Sequence, residues 1–188
     1  NTGNITLRFG SLSGNTNTGS VSLLSAGNYV IEGISGGAFA AAIDINVSFS
    51  FGSAGTGLRV GSTTNNQDIS MRPNTTVAGP ITIYANQFSF YNNLISSTAS
   101  DIGIYANTHV WTNNVRQTIQ TAGGNIYLYA DADANGSGQL EIDYLTFNPG
   151  AGNTVIRGET VNWATGSVAG PFINGTGGFT FESSDASF

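Results

Sequence analysis

Three hexapeptides written almost alike constrain this chain more than anything else in it. Ile81-Thr82-Ile83-Tyr84-Ala85-Asn86, Ile102-Gly103-Ile104-Tyr105-Ala106-Asn107 and Ile126-Tyr127-Leu128-Tyr129-Ala130-Asp131 share the pattern Ile-x-(Ile/Leu)-Tyr-Ala-(Asn/Asp), at offsets of 21 and 24 residues. Apolar residues at period two mark a strand whose Ile/Leu pair shares one face and whose Tyr takes the other. A strand that returns every ~20–30 residues is the mark of a coil in a β-solenoid. One coil cannot bury its inward residues alone, so stacked coils set Ile on Ile and Tyr on Tyr at a strand spacing of about 4.8 Å. Tyr84, Tyr105 and Tyr129 are thereby expected along one outer strip, as an exposed aromatic ladder or a contact to a partner.

Other short apolar runs extend the pattern, among them 5–9, 21–24, 29–32, 115–119, 140–142, 155–157 and 179–181, many of them separated by Gly, Asn, Ser and Thr clusters. Many short strands with turn signals indicate a sandwich, a barrel or a solenoid, and the internal period selects the solenoid. Gly-Asn precedes a strand at Gly3-Asn4, Gly27-Asn28, Gly124-Asn125 and Gly152-Asn153. Both residues tolerate left-handed backbone angles, which is the role the pattern suggests for them at coil corners. At roughly 22 residues per coil the 188 residues give eight or nine coils. The expected fold is all-β, a right-handed parallel β-helix, with a two-sheet β-sandwich as the alternative for the N-terminal third. Residues 1–60 are read as an N-terminal β segment of wide or sandwich-like coils, and 61–188 as β-solenoid coils. Within the first part, 38–43 is the best helical stretch. It leads into Asp44-Ile45-Asn46-Val47-Ser48-Phe49-Ser50-Phe51, an alternation that reads as one strand with Ile45, Val47, Phe49 and Phe51 inward.

From residue 79 onward the text resembles a known family. Gly79-Pro80-Ile81-Thr82-Ile83-Tyr84, then Asn92-Asn93-Leu94-Ile95-Ser96-Ser97-Thr98, Asp101-Ile102, Ile119-Gln120-Thr121-Ala122-Gly123-Gly124-Asn125-Ile126 and Asp131-Ala132-Asp133 with Gly136-Ser137-Gly138 follow in order. This resembles the repeat regions of large bacterial surface proteins related to filamentous haemagglutinin, especially those of the Bacteroidetes. The resemblance covers about residues 60–165. It implies a right-handed parallel β-helix and a structural, adhesive role, and it carries over no catalytic residue.

Charge narrows the partners. Only 9% of the residues are charged, lysine is absent, the five basic residues are all arginine, and the net charge is −6. Phosphate backbones and anionic membranes need clustered Lys and Arg, so no nucleic acid is expected. With no cysteine, disulfide scaffolds and thiolate chemistry are excluded. No apolar run approaches the ~18 residues of a membrane span, so no membrane insertion is expected. The chain does not open on a charged region followed by an apolar one. If secreted, it has lost its leader or is an internal stretch.

Asp131-Ala132-Asp133-Ala134-Asn135-Gly136 matches the opening of a calcium loop, in which alternate oxygens converge and Gly makes the turn. Asp131, Asp133 and Asn135 are therefore candidate ligands of a structural calcium ion. Ile142 stands where an EF-hand needs its bidentate Glu, so the competing reading is a polar turn capped by its own side chains. Gly33-Ile34-Ser35-Gly36-Gly37 matches a nucleophile elbow in pattern but lacks the following helix and the α/β frame. His109 is the only histidine and nothing in the sequence joins it to Ser35. Trp111, Trp163 and the tyrosines are candidate contacts to sugars or to a neighbouring chain. No enzyme is expected. The reading is an extracellular or cell-surface structural and adhesive solenoid, with a self-assembling filament subunit or a carbohydrate-binding module as alternatives; its partners would be itself or surface glycans.

Overall fold

A computed structural model describes residues 2–12, 20–46, 49–113, 115–162 and 172–184. Among these there is no helix, and the strands stack as a β-solenoid of about six turns. The first coil supplies β1 (Ile5–Phe9) and β2 (Val21–Leu23), and the second β3 (Asn28–Gly33), β4 (Ile43–Ile45) and β5 (Phe49–Phe51). The third holds β6 (Gly57–Val60), β7 (Ile69–Met71) and β8 (Thr75–Val77). In the fourth and fifth, long strands β9 (Ile81–Phe90) and β11 (Ile102–Thr112) are followed by β10 (Leu94–Ser96) and β12 (Gln117–Gln120). The sixth carries β13 (Ile126–Tyr129), β14 (Gln139–Glu141) and β15 (Leu145–Gly150). The seventh carries β16 (Thr154–Arg157), β17 (Thr160–Asn162) and β18 (Phe172–Gly175), and β19 (Phe179–Glu182) closes the stack.

Every pairing between these strands is parallel. The first ladder runs β1-β3-β6-β9-β11-β13-β16-β19. The second joins β4, β7, the C-terminal halves of β9 and β11, β14 and β17. The third runs β8-β10-β12-β15-β18, with β2-β5 as a separate pair. The first ladder passes residue 61 without interruption, since Val60 pairs with Ile31 on one side and Ile83 on the other.

The core is one continuous column. Ile31, Val60, Ile83, Ile104, Leu128 and Ile156 occupy the same register position in successive coils, and all are fully buried. Phe88 and Phe90 stack at 5.6 Å from the second ladder, and Phe147 fills in from the third. Each such side chain stabilises the stack by about 1.5–3 kcal/mol. The outward positions between them are mostly half-buried, and hydroxyl-bearing side chains such as Thr82, Tyr84, Tyr105 and Tyr129 fill many of them.

Four expectations need correction. The coils are mostly longer than roughly 22 residues: along the first ladder equivalent positions lie between 21 apart (Ile81 to Ile102) and 29 apart (Tyr29 to Leu58). Six complete three-strand turns result, rather than eight or nine. The stretch 38–43 is not helical. Asp44–Phe51 is not one strand: β4 belongs to the second ladder and β5 pairs with β2, after a turn in which the Phe49 amide donates to the Asn46 carbonyl at 3.1 Å. Ile45, Phe49 and Phe51 are buried as expected, because the inward phase carries on around the corner. Val47 lies outside the described residues.

The Gly-Asn pairs are the fourth correction. Gly27, Gly124 and Gly152 do not have positive φ. Each is glycine because the coil beneath leaves no room. A Cβ on Gly27 would stand 2.5 Å from the Gly3 carbonyl oxygen, and one on Gly124 would stand 2.9 Å from the Asp101 nitrogen and closer still to the Ser100 carbonyl. The asparagines act by hydrogen bonding up the stack. Asn4 Oδ1 accepts from the Asn28 amide at 3.0 Å, Asp101 Oδ1 from Asn125 at 2.7 Å, Asn125 Oδ1 from Asn153 at 2.9 Å and Asn153 Oδ1 from Gly178 at 2.8 Å.

Candidate functional site

The outward column of the first ladder reads Arg8, Glu32, Gly61, Tyr84, Tyr105, Tyr129, Arg157, Glu182 from one end to the other. The three tyrosines adjoin, as their shared hexapeptide requires. Tyr84 stacks on Tyr105 at 5.4 Å between centroids, Tyr105 meets Tyr129 edge to face at 5.5 Å, and the Arg157 guanidinium covers Tyr129 at 4.3 Å. The rings therefore spend much of their faces on each other and turn their edges and hydroxyls outward. Tyr105 also lies over Gly103: a Cβ there would come within 2.6 Å of the ring. Partial desolvation is the main reason that both the Tyr105 and Tyr129 hydroxyls titrate above the usual tyrosine range. Neighbouring tyrosines add to it for Tyr105, and the Glu182 carboxylate adds to it for Tyr129.

At the end of this column the coils turn the corner into the second ladder, and they do so unequally. The third coil leaves β6 at Val60 and reaches β7 only at Ile69; the sixth leaves β13 at Tyr129 and reaches β14 at Gln139. Between these two excursions, coils four and five turn tightly inside β9 and β11. A bulge between Ala106 and His109 gives β11 one residue more than β9 has between Ala85 and Gln87. The outcome is a recess of about 210 Å³. Tyr84, Tyr105 and Asn107 line its length, Thr63 and Asn65 close one end, and Ala132 and Asp133 close the other. The Asn65 side chain is buried and fixed: its amide donates to the Tyr84 and Gln67 carbonyls at 2.8 and 3.0 Å, and its oxygen accepts from the Phe39 and Gln67 amides. Sequence reading missed the recess, because its residues come from four coils separated by excursions of different length.

The loop that closes the recess holds Asp131, Asp133 and Asn135 together. Asp131 is fully buried. Its two oxygens accept from the Asn135 amide at 2.9 Å and the Gly136 amide at 3.1 Å. The Asn135 side chain donates to Asp133 at 2.9 Å and accepts from the Ser137 amide at 3.0 Å. Ala134 and Gly136 take positive φ of 55° and 79°. This wiring is that of a turn capped by its own side chains. Desolvation, with the Asp131 carboxylate beside it, raises the Asp133 carboxyl above the usual range.

Trp111 lies on the second ladder, in an outward column with Asp44, Ser70, Ser89, Glu141 and Asn162. Tyr91 meets it edge-on at 5.6 Å, Arg72 covers Tyr91 at 4.2 Å, and Asp44 pairs with Arg72 at 2.8 Å. Trp163 lies outside the described residues. His109 precedes Trp111 by two positions, with its Nε2 3.8 Å from Glu141. Ser35 follows β3, three coils away, which is about 14 Å along the stack, so the structure does not bring the two together.

One carboxylate stood outside the sequence reading. Glu32, on the outward column but buried, is clamped by Arg8 at 2.9 Å and Arg59 at 2.5 Å. The Arg59 hydrogen bond, with Arg8 assisting against burial, holds its carboxyl below the usual range. Aligning the coils by register would have revealed the Arg8–Glu32 pair, whereas Arg59 stands opposite Val30 and reaches across to Glu32.

These features define a three-ladder parallel β-solenoid with an aromatic outer column and one corner recess. No family model matches the chain, and neither a curated protein nor a solved structure does.

Proposed function

We propose that the chain is a structural and adhesive segment, a rigid solenoid rod displayed at a bacterial cell surface or in an extracellular fibre, of the kind its sequence resembles in the haemagglutinin-related surface proteins. The observation that carries this reading is the first ladder: eight parallel strands in register, the inner six over a fully buried aliphatic column. Such a stack resists bending and proteolysis because, among the described residues, every strand of the first ladder except the two end ones is paired on both sides. The reading gives the chain no catalytic step; its work is to hold a weakly charged surface at a distance and contact other surfaces with it. Beads coated with the chain and counted under flow on glycan-, protein- and plastic-coated slides test this. Retention above albumin-coated beads is expected, and retention equal to them on all three surfaces refutes it.

A second reading, head-to-tail assembly, has one specific observation in its favour. Strands β1 and β19 each pair on one side only among the described residues, and at the shared register position they carry Arg8 and Glu182. Stacking β1 of one copy on β19 of another continues the ladder and sets opposite charges together. Sedimentation should then depend on concentration and weaken in Arg8→Glu; concentration-independent monomers argue against it.

A further inference from the structure

We propose that the corner recess binds a single neutral pyranose, the exposed terminal ring of a glycan. The inference rests on the adhesive reading and names its ligand. Three observations carry it. The first is shape. The recess is closed at both ends by the third- and sixth-coil excursions, and its volume of about 210 Å³ lies below the roughly 300–1,000 Å³ of sites that take drug-sized ligands. It admits one ring and ends before a second, so a chain end fits and the middle of a polymer does not.

The second is chemistry. A pyranose offers apolar C–H faces and a rim of hydroxyls that both donate and accept. The recess answers with tyrosine edges and hydroxyls from Tyr84 and Tyr105, an amide from Asn107, a hydroxyl from Thr63 and a carboxylate from Asp133. The Asn65 amide is already consumed by backbone carbonyls, so it shapes the end wall and leaves the direct contacts to the others. The walls are pre-formed: the tyrosines hold each other, Asn65 is locked, and the Asp131 caps fix the loop that carries Asp133. A ligand therefore meets side chains whose ordering cost is already met.

The third is charge and topology. Among the described residues no arginine lines the recess, and its one ionisable wall group besides the tyrosines is Asp133. A uronic acid, a sulfated sugar or a phosphate would face that carboxylate with no cation to offset it. An extended peptide would look for a strand edge to pair with, and β9 and β11, which carry the recess, are paired on both sides. A neutral sugar is the ligand class left that suits both the hydroxyl-rich walls and the single carboxylate.

Saturation-transfer NMR on the full chain tests this, with glucose, galactose and N-acetylglucosamine as neutral probes and glucuronate as the charged one. Transfer from at least one neutral sugar is expected, with glucuronate at least several-fold weaker. Ala132→Leu fills the recess and should abolish transfer. Asp133→Asn, which keeps the shape, should weaken neutral binding and narrow the gap to glucuronate. Thermal melts matching wild type establish that both variants fold; if Ala132→Leu fails this, Thr63→Leu at the opposite end replaces it. No transfer from any neutral sugar, transfer undiminished by the plug, or glucuronate binding as strongly as glucose overturns the proposal. A chain that fails these tests but still retains beads on protein or plastic under flow loses the recess and keeps the adhesive reading; failure of both removes both.

Discussion

Replacing Gly124 by alanine should destabilise the solenoid more than its conservative appearance suggests. The added methyl would stand 2.9 Å from the Asp101 nitrogen and closer still to the Ser100 carbonyl, where ordinary contacts begin near ~3.4 Å. The corner must open by several tenths of an ångström or more. Two stack-spanning hydrogen bonds sit on that corner, Asn125 amide to Asp101 at 2.7 Å and Ile102 amide to the Asn125 carbonyl at 2.9 Å. Losing both costs about 1 kcal/mol each, and the residual overpacking about 1–2 kcal/mol. The total, about 3–4 kcal/mol, corresponds to a melting temperature lower by roughly 6–15 °C for a domain this size. Circular dichroism melts supply the number. Amide exchange at Ile102 and Asn125 should rise first, because neighbouring coils couple only through their interface. Gly136→Ala is the matched control: its φ is +79° but nothing lies within 4 Å of the added methyl, so only the left-handed strain of about 1–2 kcal/mol applies. A Gly124→Ala melt within about 2 °C of wild type, or a larger loss at Gly136, would refute the reasoning that close coil approach, and not backbone handedness, selects these glycines.

Other consequences are equally direct. Ile104→Ala, in the middle of the buried column, should cost about 2–5 kcal/mol in urea unfolding; a loss below 1 kcal/mol would mean the column is not close-packed. Because the Glu32 carboxyl is held below its ordinary value of 4.5, its contribution is whole above that pH and is lost as pH falls through the lower folded value. Stability of the wild type should therefore drop on acidification below about pH 4.5, and Glu32→Gln, costing about 1–2 kcal/mol at pH 7 given the exposed arginines, should flatten that drop; an unchanged acid profile in the variant would refute the clamp. Tyr105 runs the other way: its folded value is raised above 10.0, so the folded state holds its proton longer and stability falls as pH rises through 10. Tyr105→Phe should blunt that alkaline loss, and a variant that loses stability with pH as steeply as wild type would contradict it.

How far the fold could be read from residues alone follows from what repeats and what does not. Ile81, Ile102 and Ile126 announce their stacking because the same side chains recur at the same register position, so pattern and partner coincide. Asp44–Phe51 misleads for the opposite reason. The inward phase of Ile45 is kept by Phe49 across a turn at Asn46, and alternation alone cannot distinguish a straight strand from two strands around a corner. The helical look of 38–43 comes from alanines in the long excursion that carries the coil from β3 to β4. The Tyr84–Tyr105–Tyr129 column was legible, being a consequence of strand parity. Its mutual stacking was not, since ring orientation depends on Gly103 and Arg157 in neighbouring positions. The Asp131 loop was legible as a turn with two readings, and only the direction of its amides shows how the turn is capped. The corner recess lay beyond sequence reading, because Thr63, Asn107 and Asp133 share no spacing.

The orientation of the ladder hydrogen bonds has a mechanical corollary. They point along the rod, so tension between its two ends loads each coil interface in opening instead of shearing many bonds together. Failure would travel coil by coil, each event exchanging about 4.8 Å of rod for roughly 80 Å of extended chain, at ~3.3 Å for each of some 25 residues. A molecule built this way is stiff under compression and pays out line under pull, and single-molecule stretching should record a ramp of small, evenly spaced steps in place of one high peak. On the proposed adhesive reading, a tether with that response would keep a cell attached through a surge of flow that would snap a more brittle link.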